Sequence, residues 1–307
     1  ALSSNSYGNP LMIAPYGKIA MIDRNVSTAS GGFYSTQVLE SYPIESGKFL
    51  LDEVQTKDYI NGSFITTKIN NQYSINDIQK PINLLKQTVI HTNNDKNTET
   101  KYQYAYEKSN QKLIDANMVN IPLETEVKKN GKPVSRSETR YDDFSHKFPT
   151  SVKTYDLQSN SENTVLTYDK YDAKGNILQY TTEHGSPVAL VWGYNNTQPI
   201  AKVEGITYDQ LASTGLISSV VSASDADASN PANEPALITA LDQFRNAAAL
   251  INTKITTLTY DLNIGVTSTT SDSGIRQIYK YDNANRLEKI TDQEGKPVKE
   301  LQYNYKQ

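Results

Sequence analysis

The chain of 307 residues has no cysteine, which excludes disulfides, thiolate nucleophiles and cysteine-ligated metals. It has three histidines, His91, His146 and His184, far apart in sequence, so no HxxxH-type ligand pair exists. Each lies in a polar, turn-like stretch that reads as exposed surface. Tryptophan occurs once, as Trp192. No apolar run approaches the length of a membrane-spanning helix. The best N-terminal apolar stretch, Pro10–Ile22, is broken by Pro15 and Gly17 and lacks the basic flank of a signal peptide. Charge is never blocked: 30 Lys and Arg are scattered among 34 Asp and Glu, for a net charge of −4, which argues against a nucleic-acid-binding stripe. Nucleophile-elbow, Walker and dinucleotide fingerprints are missing. Adjacent acids such as Asp52-Glu53 and Asp142-Asp143 would point to opposite faces of a strand, so adjacency does not make them catalytic pairs.

What is abundant is tyrosine, 21 residues against 6 Phe, in a background rich in Thr and Asn. Tyrosine suits a half-buried pleated surface, with its ring packed and its hydroxyl wet. Several stretches alternate with period two: Val188, Leu190, Trp192 and Tyr194 on one face; Leu301, Tyr303 and Tyr305; Tyr102, Tyr104 and Tyr106. These predict strands with one packed face, and Trp192 on that face reads as core before it reads as a sugar-stacking platform. The segment Asp169–Asn196 also recurs without a gap as Tyr279–Lys306, offset by 110 residues. Tyr171-Asp172 falls on Tyr281-Asp282, and Gly185-Ser-Pro-Val188 falls on Gly295-Lys-Pro-Val298. A third Gly-Lys-Pro-Val occurs at Gly131–Val134. Glycine at 131, 185 and 295 predicts hairpin reversals, the first as an Asn130-Gly131 turn. Pro133, Pro187 and Pro297 then belong at hairpin ends or facing solvent. The expected strands of the last hairpin are 287–291 and 298–305.

The Tyr-Asp pairs at 141-142, 155-156, 168-169, 171-172, 260-261 and 281-282 read as strand ends followed by turns in which Asp accepts backbone N–H bonds. Recurrence favours that structural role over catalysis. The runs "YKYDNANRL" and "DKYDAKGNI", each followed by a strand and a Gly turn, resemble the YD repeat of the RHS family. Asn285 replaces the usual glycine and Asn176 the usual arginine; Asn tolerates the left-handed conformation. Together with Tyr168–Gly205 and Gly265–Asp282, the stretch from Leu123 onward is similar to the C-terminal region of large Bacteroidota RHS-like proteins. The resemblance implies a mainly β fold, with antiparallel YD-repeat hairpins forming an extended twisted sheet or partial β-shell. It also implies a secreted or cell-surface setting, and a role as shell, scaffold or adhesion module.

One region departs from strand patterning. Ile206–Ser224 and Pro235–Lys254 have helical spacing, the second with Leu237, Leu241, Phe244, Ala248 and Ile251 on one face and Pro235 at its start. They predict a helical hairpin joined by a polar loop, Asp225–Glu234. In that loop Asp225, Asp227 and Ser229 have the spacing of a calcium loop, but Asn230 stands where glycine is required and no glutamate closes it, so a solvated connector is expected. The organisation read from sequence is therefore 1–122 degenerate β-repeats, 123–205 repeat hairpins, 206–254 helical insertion and 255–307 C-terminal repeat hairpins. Helices are expected only in the insertion. No residue stands out as catalytic, cofactor-binding or metal-ligating, and no cofactor is expected. The alternative is a carbohydrate-binding or carbohydrate-active β protein, which requires distant carboxylates to meet in a cleft. The strand-like ending Glu300–Lys306 would leave an open edge, so upstream repeats of a longer parent or a protein partner are the expected ligands, with carbohydrate as a further possibility.

Overall fold

Alternation and recurrent turn residues fold as antiparallel meanders. The computed structural model describes residues 2–7, 11–27, 33–48, 50–60, 63–74, 81–91 and 96–303. Two compact units divide the chain: Ala1–Glu138 with Tyr155–Ser161, and Thr139–Thr154 with Glu162–Gln307.

The first unit contains β1 (Leu2–Tyr7), β2 (Leu11–Ser27), β3 (Phe33–Lys48), β4 (Leu51–Ile60), β5 (Ser63–Tyr73), β6 (Leu84–His91), β7 (Lys96–Gln103), α1 (Gln111–Asp115), β8 (Glu124–Lys129) and β9 (Lys132–Arg140). β2 and β3 pair with each other, β1 pairs with β4, and the strands from β4 to β9 pair in sequence order, β4 with β5 through β8 with β9. Lys129 faces Lys132 across the Asn130-Gly131 turn, with φ of 49° and 76°, the two positive angles of a type I′ hairpin. Ile60 faces Ser63 where β4 pairs with β5, and the Asn61-Gly62 pair, which reads as a turn in the sequence, lies outside the described residues.

The expected strand through Tyr102, Tyr104 and Tyr106 stops at Gln103. The Glu107 carboxylate accepts the Tyr104 N–H at 3.0 Å, and Asn110 Oδ1 accepts the Leu113 N–H at 3.1 Å, starting α1. Local side-chain acceptors thus displace the ladder and cap a helix outside the expected insertion. Leu113 is fully buried, and among the described residues of this unit Tyr104, Ala105, Val119 and Leu123 are the other buried apolar ones.

The second unit is a meander of β10 (Ser151–Tyr155), β11 (Glu162–Tyr171), β12 (Ile177–Thr182), β13 (Pro187–Gly193), β14 (Gln198–Glu204), β15 (Lys254–Asp261), β16 (Gly265–Thr270), β17 (Arg276–Tyr281), β18 (Leu287–Asp292) and β19 (Pro297–Glu300), each beside its sequence neighbour. Between β14 and β15 lie α2 (Tyr208–Ser213), α3 (Ile217–Ser229) and α4 (Glu234–Arg245), with short 3-10 turns at Pro231–Asn233 and Ala248–Leu250. The helices pack on β13 and β15. Val191, Ile200, Val203, Leu211, Val220, Leu237, Leu241 and Phe244 form the core between them.

Four expectations need correction here. The insertion is not a two-helix hairpin with a long connector: Gly215, at φ 73°, separates α2 from α3, and α3 runs through Asp225–Ser229. The polar composition there disguises a helix with Val220, Ser224 and Asp227 on its buried face. The stripe on α4 ends at Phe244, because the helix caps at Asn246; the following 3-10 turn buries Leu250 and leaves Ile251 80% exposed. In β13 the helices cover Ala189 and Val191, while Leu190 and Trp192 are only half-buried. Small residues on that face let the helices approach: a Cβ on Gly193 would lie 2.1 Å from Ser224 Oγ. Finally, β19 ends at Glu300 and Leu301–Tyr303 lie outside it, so the expected strand 298–305 is interrupted early; the remainder of that expectation lies outside the described residues. Leu301 N–H still reaches Glu288 O at 2.9 Å, and Tyr303 is exposed, its hydroxyl on Leu287 O.

Candidate functional site

The repeat motif builds one five-residue loop at five places. In Asp172–Asn176, Thr182–Ser186, Ser271–Ile275, Asp282–Arg286 and Asp292–Lys296, the first N–H donates to the fifth carbonyl and the fourth N–H donates back to the first carbonyl. The fourth residue has positive φ each time: Gly175 88°, Gly185 74°, Gly274 83°, Asn285 58° and Gly295 83°. Asn285 therefore does stand in for glycine. Where the first residue is Asp, its Oδ1 accepts the third and fifth N–H groups: Lys174 and Asn176 on Asp172, Ala284 and Arg286 on Asp282, Glu294 and Lys296 on Asp292. Burial opposes the charge of Asp172, but these bonds outweigh it and hold the carboxyl below the ordinary range. Arg286, bonded to Asp282 Oδ2 at 2.8 Å, does the same for Asp282.

Asp156 also opens a turn, accepting the N–H groups of Gln158 and Ser159, and Asp261 accepts that of Asn263. At Tyr141-Asp142 the following residue, Asp143, accepts the Ser145 N–H, while the Asp142 N–H donates to Thr150 Oγ1. Asp169 departs further. It is bulged inside β11, not in a turn, and its Oδ2 accepts from Gln179 Nε2 and Thr181 Oγ1 on β12.

The turn from β13 to β14 is different and is the most unusual site in the second unit. Tyr194, Asn195 and Asn196 take φ of 51°, 58° and 60°, three successive left-handed residues, none of them glycine. The Asn195-Asn196 pair is the one sequence signal for it. Helix α3 holds this turn: Tyr194 N–H donates to Ser224 Oγ at 3.1 Å and Asn195 N–H to Asp225 Oδ1 at 2.7 Å. From the neighbouring loop, Lys174 Nζ and Asn176 Nδ2 donate to the carbonyls of Asn195 and Asn196. The left-handed backbone swings Tyr194 into the core, where it is 1% exposed. Its hydroxyl donates to Asp227 Oδ2 at 2.7 Å and accepts the Tyr260 N–H at 2.8 Å. Asp227 is 3% exposed, and its Oδ1 has no hydrogen-bond partner. Burial pushes its carboxyl up, the Tyr194 bond opposes this, and the charges of Glu234 and Asp261 add to the rise. Glu234 accepts from the hydroxyls of Thr259 and Thr267. Burial also pushes the Tyr260 phenol up to about 12.

A second polar cluster lies in the first unit. Glu124, 8% exposed, accepts Arg136 Nε at 2.8 Å and Lys108 Nζ at 2.8 Å, and Lys108 also meets Glu138 at 2.8 Å. The Arg136 guanidinium lies 4.1 Å over the Tyr155 ring, and the Tyr155 hydroxyl donates to Glu138. Burial works against the charge on Glu124, but the bonds from Arg136 and Lys108 overcome it and hold the carboxyl below its ordinary value. A glycosidase-type pair needs one carboxyl poised as an acid, and Glu124 is pulled the other way.

The remaining candidates are scattered. His91 is half-buried beside Thr67 Oγ1 at 3.1 Å, and His146 is half-buried beside the Phe148 and Tyr171 rings; His184 alone of the three is exposed. Trp192 Nε1–H donates to Ile177 O at 2.8 Å, so its ring is committed to the sheet. The calcium-loop spacing at Asp225, Asp227 and Ser229 is wound into helix, with Asp225 on Asn195 and Asp227 on Tyr194. Among the described residues, no three His, Asp or Glu side chains are placed to hold a metal ion. Nor is any helix among them long and apolar enough to cross a membrane.

No protein-family model matches the chain, and no curated protein matches it. Among solved structures it is similar to chains of the TcdB2-TccC3-Cdc42 complex, at 13% identity and a TM-score of 0.33, over 93% of this chain and 13% of that one. It is also similar to a chain of TcdB2-TccC3 without its hypervariable C-terminal region, at 13% identity and a TM-score of 0.32, over 82% of this chain and 12% of that one. The chain thus spans about an eighth of the length of those it resembles.

Proposed function

We propose that this chain is a non-enzymatic structural and interaction module of a secreted or cell-surface RHS-like protein. The observation that carries the proposal is how its carboxylates are used. Asp172, Asp282 and Asp292 close loops through their own backbone, and Glu124 is clamped between Arg136 and Lys108. These four carboxylates are thus engaged in holding turns and strands together. Its partners are further β hairpins of a longer parent or a separate protein, and its role is scaffold, shell or adhesion.

The carbohydrate reading makes the opposite expectation and is separable from it. The purified chain is screened on a glycan array and against chromogenic glycosides, beside Glu124→Gln. The structural reading expects no saturable binding and no turnover in either protein. Saturable binding, or turnover lost in Glu124→Gln, would replace it with the carbohydrate reading. Light-scattering mass with and without a parent fragment tests the interaction: a mixed species is expected, and two unassociated species would remove the interaction half of the proposal.

A further inference from the structure

Helix α3 is fastened to the sheet through one buried carboxylate whose two oxygens have unlike environments. Asp227 Oδ2 receives the Tyr194 hydroxyl, which in turn holds the backbone N–H of Tyr260 on β15. Oδ1 receives nothing. A buried carboxylate oxygen that no protein group donates to is costly when charged, because no protein donor makes up for its lost hydration. The ionisable groups that bear on it make this worse. Glu234 approaches from the start of α4 and Asp261 from the end of β15, and both are acidic. Asp225, on the same helix, directs its carboxylate to Asn195 N–H. The other titratable neighbours are the phenols of Tyr194 and Tyr260, the latter donating to Pro199 O at 2.9 Å. Lys174 reaches the same turn but is bonded to the carbonyl of Asn195.

We propose that Asp227 is a proton-dependent clasp: it seats α3 on the sheet when Oδ1 carries a proton, and loosens that seating when the proton passes to solvent. A proton on Oδ1 removes the buried charge and leaves the Tyr194 bond on Oδ2 in place. What the clasp controls is the turn at Tyr194–Asn196. Those three residues are left-handed without glycine, and α3 supplies the Ser224, Asp225 and Asp227 side chains that keep them so. Loosening α3 therefore releases the turn with it.

The sign follows from linkage. The closed state binds the proton more tightly than the open one. Opening is thus least favourable below the ordinary Asp value of 3.8, grows as pH rises through the raised value, and then levels off. For one proton the opening constant rises by about tenfold per pH unit inside that window.

The test is native-state hydrogen exchange on the full chain, read by mass spectrometry across pH and corrected for intrinsic exchange. Peptides covering α3 and the Tyr194–Asn196 turn are expected to open more readily as pH rises through the window. Asp227→Asn, which has no proton to lose, is expected to flatten that dependence. An α3 whose opening is flat, or falls with rising pH, in the wild-type chain would overturn the clasp. So would a wild-type slope persisting in a folded Asp227→Asn. Should the variant not fold, the Asp227 carboxyl carbon in the wild-type chain decides by NMR titration. A midpoint above the ordinary Asp value supports the clasp, and one at or below that value ends it.

Discussion

Two hairpins in the second unit reverse the chain in opposite ways. The reversal from β18 to β19 is self-sufficient: Asp292 accepts the N–H groups of Glu294 and Lys296, and Gly295 supplies the positive φ. Nothing lies within 4 Å of a Cβ built on Gly295. The reversal from β13 to β14 is dependent. Its three left-handed residues include a buried tyrosine, and their partners come from a helix about thirty residues away in sequence. The first kind of turn can be copied along the chain because it carries its own partners. Among the described residues the second occurs once, where a helical layer is available to hold it.

The comparison is most exposed at the helical layer. Phe244→Ala should cost about 3–5 kcal/mol by emptying the core under α4, seen as a lower denaturation midpoint. The loss should be accompanied by faster exchange in the β13–β14 turn and little change in the β18–β19 loop. Equal loosening of both would mean that the two turns are not different in kind.

Gly193→Ala should come next. Its Cβ would meet Ser224 Oγ at 2.1 Å and Ile200 Cγ2 at 2.9 Å, so overpacking should cost about 2–3 kcal/mol. Gly295→Ala meets no atom, and only the left-handed backbone resists it, at about 1–2 kcal/mol. A larger loss at Gly295 than at Gly193 in parallel urea melts would invert the comparison.

The smallest effect is in titration. Asp172 and Asp282 have depressed carboxyls, so the stability they lend is present above the ordinary Asp value and is lost as pH falls through their folded values. Carboxyl-carbon NMR should find both titrating below the ordinary range. Asp282→Asn should weaken that dependence at its own loop and leave the Asp172 resonance unmoved.

What was readable in the sequence was what is local. Gly185, Gly295, Asn130-Gly131 and even Asn285 announce their turns, because a positive φ admits few residue types and the Asp partner sits three positions earlier or not at all. The helix α4 was legible through Leu237, Leu241 and Phe244. The dependent turn was not. Asp227 looks like a loop residue by composition, and only its spacing from Val220 and Ser224 marks a buried helical face. Likewise, period two puts Tyr194 on the face of Trp192, but its left-handed φ moves it to the opposite layer. Glu124 and Arg136 form their pair across the register of β8 and β9, which no single stretch of sequence displays.

The nearest-neighbour order of β10 through β19 has a kinetic side. Each hairpin closes a loop of only a few residues, so its strands can zip together as soon as both have emerged from synthesis, with little entropy to overcome. One junction breaks that rhythm. Glu204 on β14 pairs with Lys254 on β15, and everything from Gly205 to Thr253 must be made and folded back before they meet. Loop-closure entropy makes that pairing the slowest one expected in the unit, and until it forms Ile200, Ala201 and Val203 lack their β15 neighbours. A chaperone watching this chain grow would find its longest-lived sticky surface there.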